Sequence, residues 1–303
     1  MHNISNIFPD AIVQELPYYN NDFFCYYDES SKQYFAIPKT SITDREKLLL
    51  DSMYPLIETT PDYLNQSRLQ KAWFDFLIKN GSIPDFNGRI RFIYFQLNEL
   101  QSHYDFMEAV HSFFSEQIIF VWIDQKSGVI IENETIDVVN DHDFYSFYDA
   151  ILSDFYIKVD FYIGRFFDSS PNLRNQFLRE QYYFKISMSV YPQNHVFNFI
   201  NAFPLVMMTT EWNQLTSILH QEYQEIFQHD SELINIIKTY LENNSNTSLT
   251  AKKLYMHRNS LQYKIDKFIE QTSIDIKSFH GAISIYFICL YGEVSTYVNN
   301  DTR

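Results

Sequence analysis

Residues 246–268 read Asn246-Thr-Ser-Leu-Thr-Ala-Lys-Lys-Leu-Tyr-Met-His-Arg-Asn-Ser-Leu-Gln-Tyr-Lys-Ile-Asp-Lys-Phe268. Their spacing predicts two short helices joined by a turn. Ala251 and Leu254 lie three apart on the first helix, and Met256 and His257 make the turn. Leu261, Ile265 and Phe268 then recur at helical spacing on the second. Small Ala251 lets the two helices approach closely. Arg258, Asn259, Gln262 and Tyr263 occupy the opposite face, and all four can hydrogen-bond. An apolar back with a front able to read base edges is what a helix lying in a DNA major groove requires.

Charge points the same way. Residues 248–268 hold five basic side chains (Lys252, Lys253, Arg258, Lys264, Lys267) against Asp266 alone, a net of +4 in a chain of net −15. From 231 onward eight basic residues meet seven acidic ones, which leaves −16 on residues 1–230. Phosphate binding needs local rather than global positive charge. An acidic body repels a duplex wherever it faces one, so DNA is expected at the C-terminal part alone.

The segment from Leu233 to Ile276 resembles the C-terminal DNA-binding domain of the PucR-type regulators of purine catabolism and sugar-diacid use. The matching stretches are Ile237-Lys-Thr-Tyr-Leu-Glu-Asn-Asn, Asn246 through Ala251, and Leu254-Tyr-Met-His-Arg-Asn-Ser-Leu-Gln-Tyr-Lys-Ile. Against the family pattern this chain has Ser260 for Thr, Lys264 for Arg and Ile265 for Leu. Lys for Arg keeps the charge and loses bidentate geometry. The resemblance implies a bacterial transcription regulator that binds double-stranded DNA as a homodimer.

Helix faces divide the contacts. Arg258, Asn259, Ser260, Gln262 and Tyr263 are the base-facing candidates, because Arg pairs bidentately with guanine and Asn or Gln with adenine. Thr250, Lys252, Lys253, His257, Lys264 and Lys267 are the phosphate candidates. His257 falls at the N-cap of the second helix, so its first role is structural.

The rest of the chain reads as α+β and multidomain. With 303 residues, 46% hydrophobic and 20% charged, it is a folded globular protein with room for two or three domains. Residues 1–85 form a small α/β unit that serves as the expected sensor. Phe23–Tyr27 and Gln33–Ile37 are strands about a polar turn, Ser41 or Thr43 caps a helix that runs through Leu56, and a second helix runs from Ser67 to Lys79. Ser82–Gly88, with Pro84, Asn87 and Gly88, is the linker. Residues 86–200 show the order βαββαβ, which predicts an antiparallel sheet with helices on one face. The elements are a strand at Arg89–Leu97, a helix at Glu99–Phe114, a hairpin of Gln117–Ile123 with Val129–Glu132, a helix at Asp143–Ser153, a strand at Lys158–Ile163 and a helix at Leu173–Ile186.

The middle region is more loosely similar to the degenerate GGDEF-like domain of many PucR-type regulators. The similarity rests on Ile163-Gly164-Arg165, Leu173-Arg174 and Arg179-Glu180-Gln181. A working cyclase would need an acidic metal clamp; this chain has Asp124-Gln-Lys-Ser-Gly128 at the hairpin turn and Leu97-Asn98 at the strand end, so the domain is expected to be structural. Residues 201–230 are a helical connector within a helical stretch beginning at 188, with Trp212, Leu215, Leu219 and Tyr223 on one packing face. Residues 231–303 are the all-α helix-turn-helix domain, whose last helix begins near Ser278.

Composition excludes much chemistry. The six glycines never stand as Gly-x-Gly, so neither a dinucleotide fingerprint, nor a phosphate loop, nor a Gly-x-Ser-x-Gly elbow can be written with them. The nine histidines form no i,i+4 pair, and no metal or other cofactor is expected. His142 between Asp141 and Asp143 suits helix capping. Cys25 and Cys289 lack motif spacing and read as free buried thiols in a reducing cytosol. No basic leader precedes an apolar run and no stretch approaches membrane-spanning length, which predicts a cytoplasmic protein. The body could take a small-molecule effector. The alternative to a regulator is a protein-interaction scaffold whose helix-turn-helix no longer binds DNA.

Overall fold

The computed structural model describes residues 4–14, 17–18, 22–57, 67–86, 88–99, 103–114, 118–134, 141–228 and 230–301. Asn87 of the linker, residues 100–102 of the helix expected from Glu99, and Gln117 of the hairpin lie outside them, as do the side chains of Asp141 and His142.

The N-terminal unit comprises α1 (Ile4–Ile7), β1 (Ile12–Gln14), β2 (Phe23–Asp28), β3 (Gln33–Pro38), α2 (Asp44–Met53) and β4 (Leu56–Ile57). The strands order as β1-β3-β2-β4, all antiparallel. Asp28 shapes the β2–β3 turn by accepting from Ser30 N at 2.9 Å and from the Ser30 and Ser31 hydroxyls. Thr43 caps α2 through a capping box with Glu46. The helix stops at Met53, short of the expected Leu56, and the chain turns extended to pair with β2.

Next comes α3 (Arg68–Lys79), started by a Ser67–Gln70 capping box and ended by Asn80 in the left-handed region at φ 58°. The second sheet follows: β5 (Arg89–Leu97), α4 (His103–Phe113), β6 (Ile119–Trp122), β7 (Ser127–Asn133), α5 (Asp141–Asp154), β8 (Val159–Ile163), β9 (Phe167–Asp168), α6 (Leu173–Val190) and β10 (Val196–Asn198). The order is β10-β8-β5-β7-β6, with Tyr94 opposite Tyr162 and Phe92 opposite Ile131. The β6–β7 turn is tied by Asp124, which accepts from Lys126 N and Ser127 N at 2.7 Å each.

Two features depart from expectation. β10, inside the stretch read as helical, adds a parallel edge strand to β8. Helices also cover both faces of the sheet rather than one. Ile93, Phe95 and Leu97 pack with Phe106 of α4 and Phe144 of α5. The alternate residues Phe92 and Tyr94 pack with Trp73 of α3 and Phe177 and Phe184 of α6. β5 is therefore buried on both sides, which is why it is nearly continuously apolar.

The helical part comprises α7 (Phe199–Thr209), α8 (Trp212–Phe227), α9 (Ser231–Glu242), α10 (Thr247–Lys253), α11 (Arg258–Thr272) and α12 (Phe279–Asp301). Leu215 and Leu219 of α8 are buried as expected, whereas Trp212, at the open N-terminal end of the helix, is exposed. Both cysteines are free and buried; burial pushes the Cys25 thiol up to about 11 and the Cys289 thiol up to about 12. Among the described residues no helix is long and apolar enough to cross a membrane.

A buried ionic cluster joins the second sheet to α8. Glu222, fully buried, receives Arg165 Nη2 at 2.7 Å and Tyr183 Oη at 2.8 Å, and it lies 2.7 Å from Arg179 Nε. Arg179 also pairs with Glu225. Burial pulls the Glu222 carboxyl upward, but the two guanidinium groups outweigh it and hold the carboxyl below its ordinary range. Glu180 accepts from Arg165 N at 2.8 Å, while burial pushes its carboxyl from 4.5 up to about 8. Burial thus favours the protonated form of Glu180, while Glu222 carries the charge that answers the two guanidinium groups.

That assignment has a consequence for stability. The folded chain keeps a proton on Glu180 that the unfolded chain releases above 4.5. The stabilisation is complete below 4.5 and is lost as pH climbs toward about 8, at ~1.4 kcal/mol per pH unit at most. Glu180→Gln keeps the shape without the titration. Its melting temperature relative to wild type should therefore rise steadily between pH 5 and pH 8, and a constant difference would contradict a protonated Glu180.

Candidate nucleic-acid interface

The interface is built on α10 and α11, held by α9 and α12. Asn246 starts α10 by accepting from Leu249 N at 3.0 Å. The helix ends at Leu254, and Tyr255 takes the left-handed region at φ 53° to turn the chain. Met256 N then closes onto Ala251 O at 2.9 Å. His257 starts α11, its Nδ1 accepting from Asn259 N at 3.2 Å, which is the capping role expected of it.

Ala251 is buried where the helices cross, and Leu261, Ile265 and Phe268 are buried against the surrounding helices, as the spacing predicts. At 100° per residue this apolar line fixes what the rest of α11 can reach. Asn259, Tyr263 and Lys267 project away from the core and are exposed, as are Arg258 and Ser260 in the first turn. Gln262 and Lys264 sit on the flanks, half-buried. Gln262 Nε2 donates to Asp266 at 2.9 Å and its Oε1 accepts from Thr247 Oγ1 at 3.4 Å, toward α10. Lys264 Nζ pairs with Glu232 of α9 at 2.6 Å.

Of the phosphate candidates, Lys252, Lys253, His257 and Lys267 are exposed. Thr250 is a correction: it is fully buried, one residue before Ala251 at the crossing, and cannot meet a phosphate. Its register on a seven-residue helix places it inward, which its polarity alone did not reveal. Among the described residues Arg258, Lys252, Lys253 and Lys267 have no carboxylate partner, so their charges are available. A groove of about 540 Å³ runs beside α11, lined by Asn259, Ser260, Tyr263, Lys264 and Lys267 among others.

Two features of the surface escaped the sequence reading. Tyr255 stands fully exposed at the turn, and a left-handed backbone under a non-glycine side chain is the local signal for it. Asp266 on the outer face of α11 is neutralised by Lys277 at 2.8 Å, and that pairing holds the carboxyl below its ordinary range. At the far end of α11, Arg89 of β5 donates to Gln271 O at 2.8 Å and to Phe166 O at 2.9 Å. The middle sheet thus supplies a cation to one of the unsatisfied carbonyls that end α11. Among the described residues no group of three or more His, Cys, Asp or Glu side chains is placed to hold a metal ion.

Residues 233–290 match the family described as the PucR C-terminal helix-turn-helix domain. The uncharacterized protein YxkF of Bacillus subtilis (strain 168) is 40% identical over 296 residues, covering 97% of this chain and 100% of YxkF. The proline-responsive transcriptional activator PutR of the same organism is 38% identical over 56 residues, 18% of this chain and 14% of PutR. A solved regulator of polyketide synthase expression from Bifidobacterium adolescentis overlays 78% of this chain and 99% of its own, at 15% identity and a TM-score of 0.37, which is too low to argue from. The chain therefore belongs to one family with YxkF of B. subtilis and carries a PucR C-terminal helix-turn-helix domain.

Proposed function

We propose that this protein is a transcription regulator that binds operator DNA as a homodimer, with α11 in the major groove and the acidic body as the part that senses or relays a signal. The observation that carries the reading is the capped helix-turn-helix itself. Its apolar side is sealed, while Arg258, Asn259, Ser260 and Tyr263 stand exposed on the other, beside uncommitted Lys252, Lys253 and Lys267. Gln262 serves as a base contact once a base competes with Asp266 for its amide; Lys264 reaches phosphate only by leaving Glu232. His257 contacts phosphate through Nε2 while Nδ1 caps the helix. The middle domain, on this reading, is a non-catalytic GGDEF-like relay whose hairpin turn is occupied by its own backbone. A small-molecule effector in the body is part of the same proposal.

The test is retention of the upstream DNA of this gene by the full chain, against genomic competitor, at two salt concentrations. Sequence-specific binding that weakens steeply with salt is expected. No retention at low salt, or retention indifferent to salt, would move the assignment to a protein-interaction scaffold.

A further inference from the structure

The N-terminal sheet and the second sheet do not close fully on each other. Between them lies a cavity of about 580 Å³, walled by the β2–β3 hairpin and β4 on one side and by β5, the β6–β7 turn and α6 on the other. Proteins hold small molecules in cavities of about 300–1,000 Å³, and often at the seam between two units. Here the two units keep separate cores. One gathers around Tyr26, Phe35 and Leu50; the other runs through the second sheet into α11. A hydrogen bond across the seam, from Tyr34 Oη to Asp124 Oδ2, is long at 3.4 Å.

The lining selects a kind of ligand. Much of it is aromatic. Tyr27 and Tyr34 of the hairpin hold their ring centroids 4.9 Å apart, and Tyr94 and Phe184 line the facing side. Two charged side chains of the lining are uncommitted. Glu29, exposed on the hairpin turn, has no cationic partner among the described residues, and Lys126, half-buried on the β6–β7 turn, has no carboxylate partner. Asp124 and Lys185 also line the cavity and are engaged, Asp124 by the backbone of its own turn. The cavity therefore offers one open charge of each sign beside apolar surface. Burial and the carboxylates of Glu29, Asp124 and Asp28 raise the Tyr27 phenol, which marks the hairpin end as the one that attracts a cation. A ligand of one sign only would set its charge against Glu29 or against Lys126.

We propose that this cavity binds a free α-amino acid with a large apolar or aromatic side chain. Its ammonium meets Glu29, its carboxylate meets Lys126, and its side chain lies among Tyr27, Tyr34 and Phe184. Glu29 and Lys126 are long side chains on turns and can close on two groups that lie close together. The ligand would then touch both units at once. Tyr94 and Phe184 belong to the core that continues to Leu261 and Ile265 of α11. That the amino acid acts as the effector rests on the proposed function; the binding site does not.

Calorimetric titration of the full chain with L-phenylalanine, L-tryptophan, L-leucine and L-methionine in turn tests the site without DNA. At least one should bind at millimolar concentration or below, one molecule per chain. For the tightest of them, the amine that lacks the carboxylate and the acid that lacks the ammonium should each bind at least tenfold more weakly, the scale of a hydrogen bond to a charged group. Glu29→Gln should weaken the amino acid at least tenfold and leave the acid unchanged. Lys126→Met should weaken it likewise and leave the amine unchanged. The melting temperature without ligand should stay at the wild-type value in both, since neither side chain holds a partner in the fold. Binding by none of the four would overturn the proposal. So would an amine or an acid that binds as tightly as its amino acid, or affinities indifferent to both substitutions. A chain that binds operator DNA and none of the four would keep the regulator reading and lose this site; a chain that binds the amino acid and no DNA would do the reverse.

Discussion

Glu222→Leu is expected to destabilise the folded chain by about 3–5 kcal/mol, the cost of removing one partner from a buried ion pair. That is a large share of a typical stability of about 5–15 kcal/mol. The reason lies in the stoichiometry of the cluster. One carboxylate answers Arg165 and Arg179 together and receives the Tyr183 hydroxyl as well. Without it, Arg179 keeps Glu225, but Arg165 has only Glu225 at 3.9 Å and stays buried. Neither guanidinium can shed its proton, so the charge must remain unpaired, drag water in or take the proton off buried Glu180. Replacing the group as a whole should cost far less. Arg165→Met, Arg179→Met and Glu222→Leu combined exchange charge for apolar volume, and buried pairs replaced in this way are often neutral. The urea midpoints of the single and triple variants decide the point. If the triple variant is no more stable than the single one, the loss comes from packing and not from an orphaned charge.

The cluster has a position that gives the measurement functional weight. Arg165 follows β8, Arg179 lies on α6, and Glu222 and Glu225 lie on α8, which packs on α12. The cluster adds a polar joint to the continuous apolar core that runs from the sheet into the helical unit. Arg89 adds another, joining β5 to the end of α11.

What the sequence disclosed depended on how local the information was. Caps are local: Thr43, Ser67, Asn246 and His257 each sit within three residues of the backbone they satisfy, and of these His257, and Thr43 as the alternative to Ser41, were read as caps from the sequence. The hairpin around Asp124–Gly128 was legible for the same reason. The buried line of α11 followed from its period. β10 was not legible. Three residues carry no period, and their partner, β8, lies some thirty residues upstream in a parallel pairing that no turn announces. The second layer of helices escaped because α3 reads as part of the N-terminal unit, while its Trp73 packs against Phe92 of the second sheet. The ionic cluster joins residues 57 apart in Arg165 and Glu222, and neither is unusual in sequence. At the interface what escaped was angle. Thr250 was chosen for chemistry, and the packing of α10 on α11 turned it inward; Gln262 and Lys264 hold partners in Asp266 and Glu232 that no spacing announced.

That difference between chemistry and angle makes Arg258 the sharpest probe of the proposed DNA contact. It is the first residue of α11, exposed, and without a carboxylate partner among the described residues. A recognition helix reads bases chiefly from its N-terminal residues, and a guanidinium there can take both acceptors of a guanine edge. Arg258→Ala should therefore weaken specific binding by about 1–3 kcal/mol, or ~5- to 150-fold, and leave binding to random DNA nearly unchanged. Lys252→Ala with Lys253→Ala should behave differently. In the proposed arrangement their ammonium groups meet phosphate alone, so specific and random DNA should weaken together and the slope of log K against log salt should fall by about 2. Titrating both variants against operator and random duplexes at several salt concentrations separates the two roles. If Arg258→Ala lowers both affinities in parallel, Arg258 is a phosphate ligand and base reading lies with Asn259 and Tyr263. If neither variant changes anything, the duplex is not held by this face.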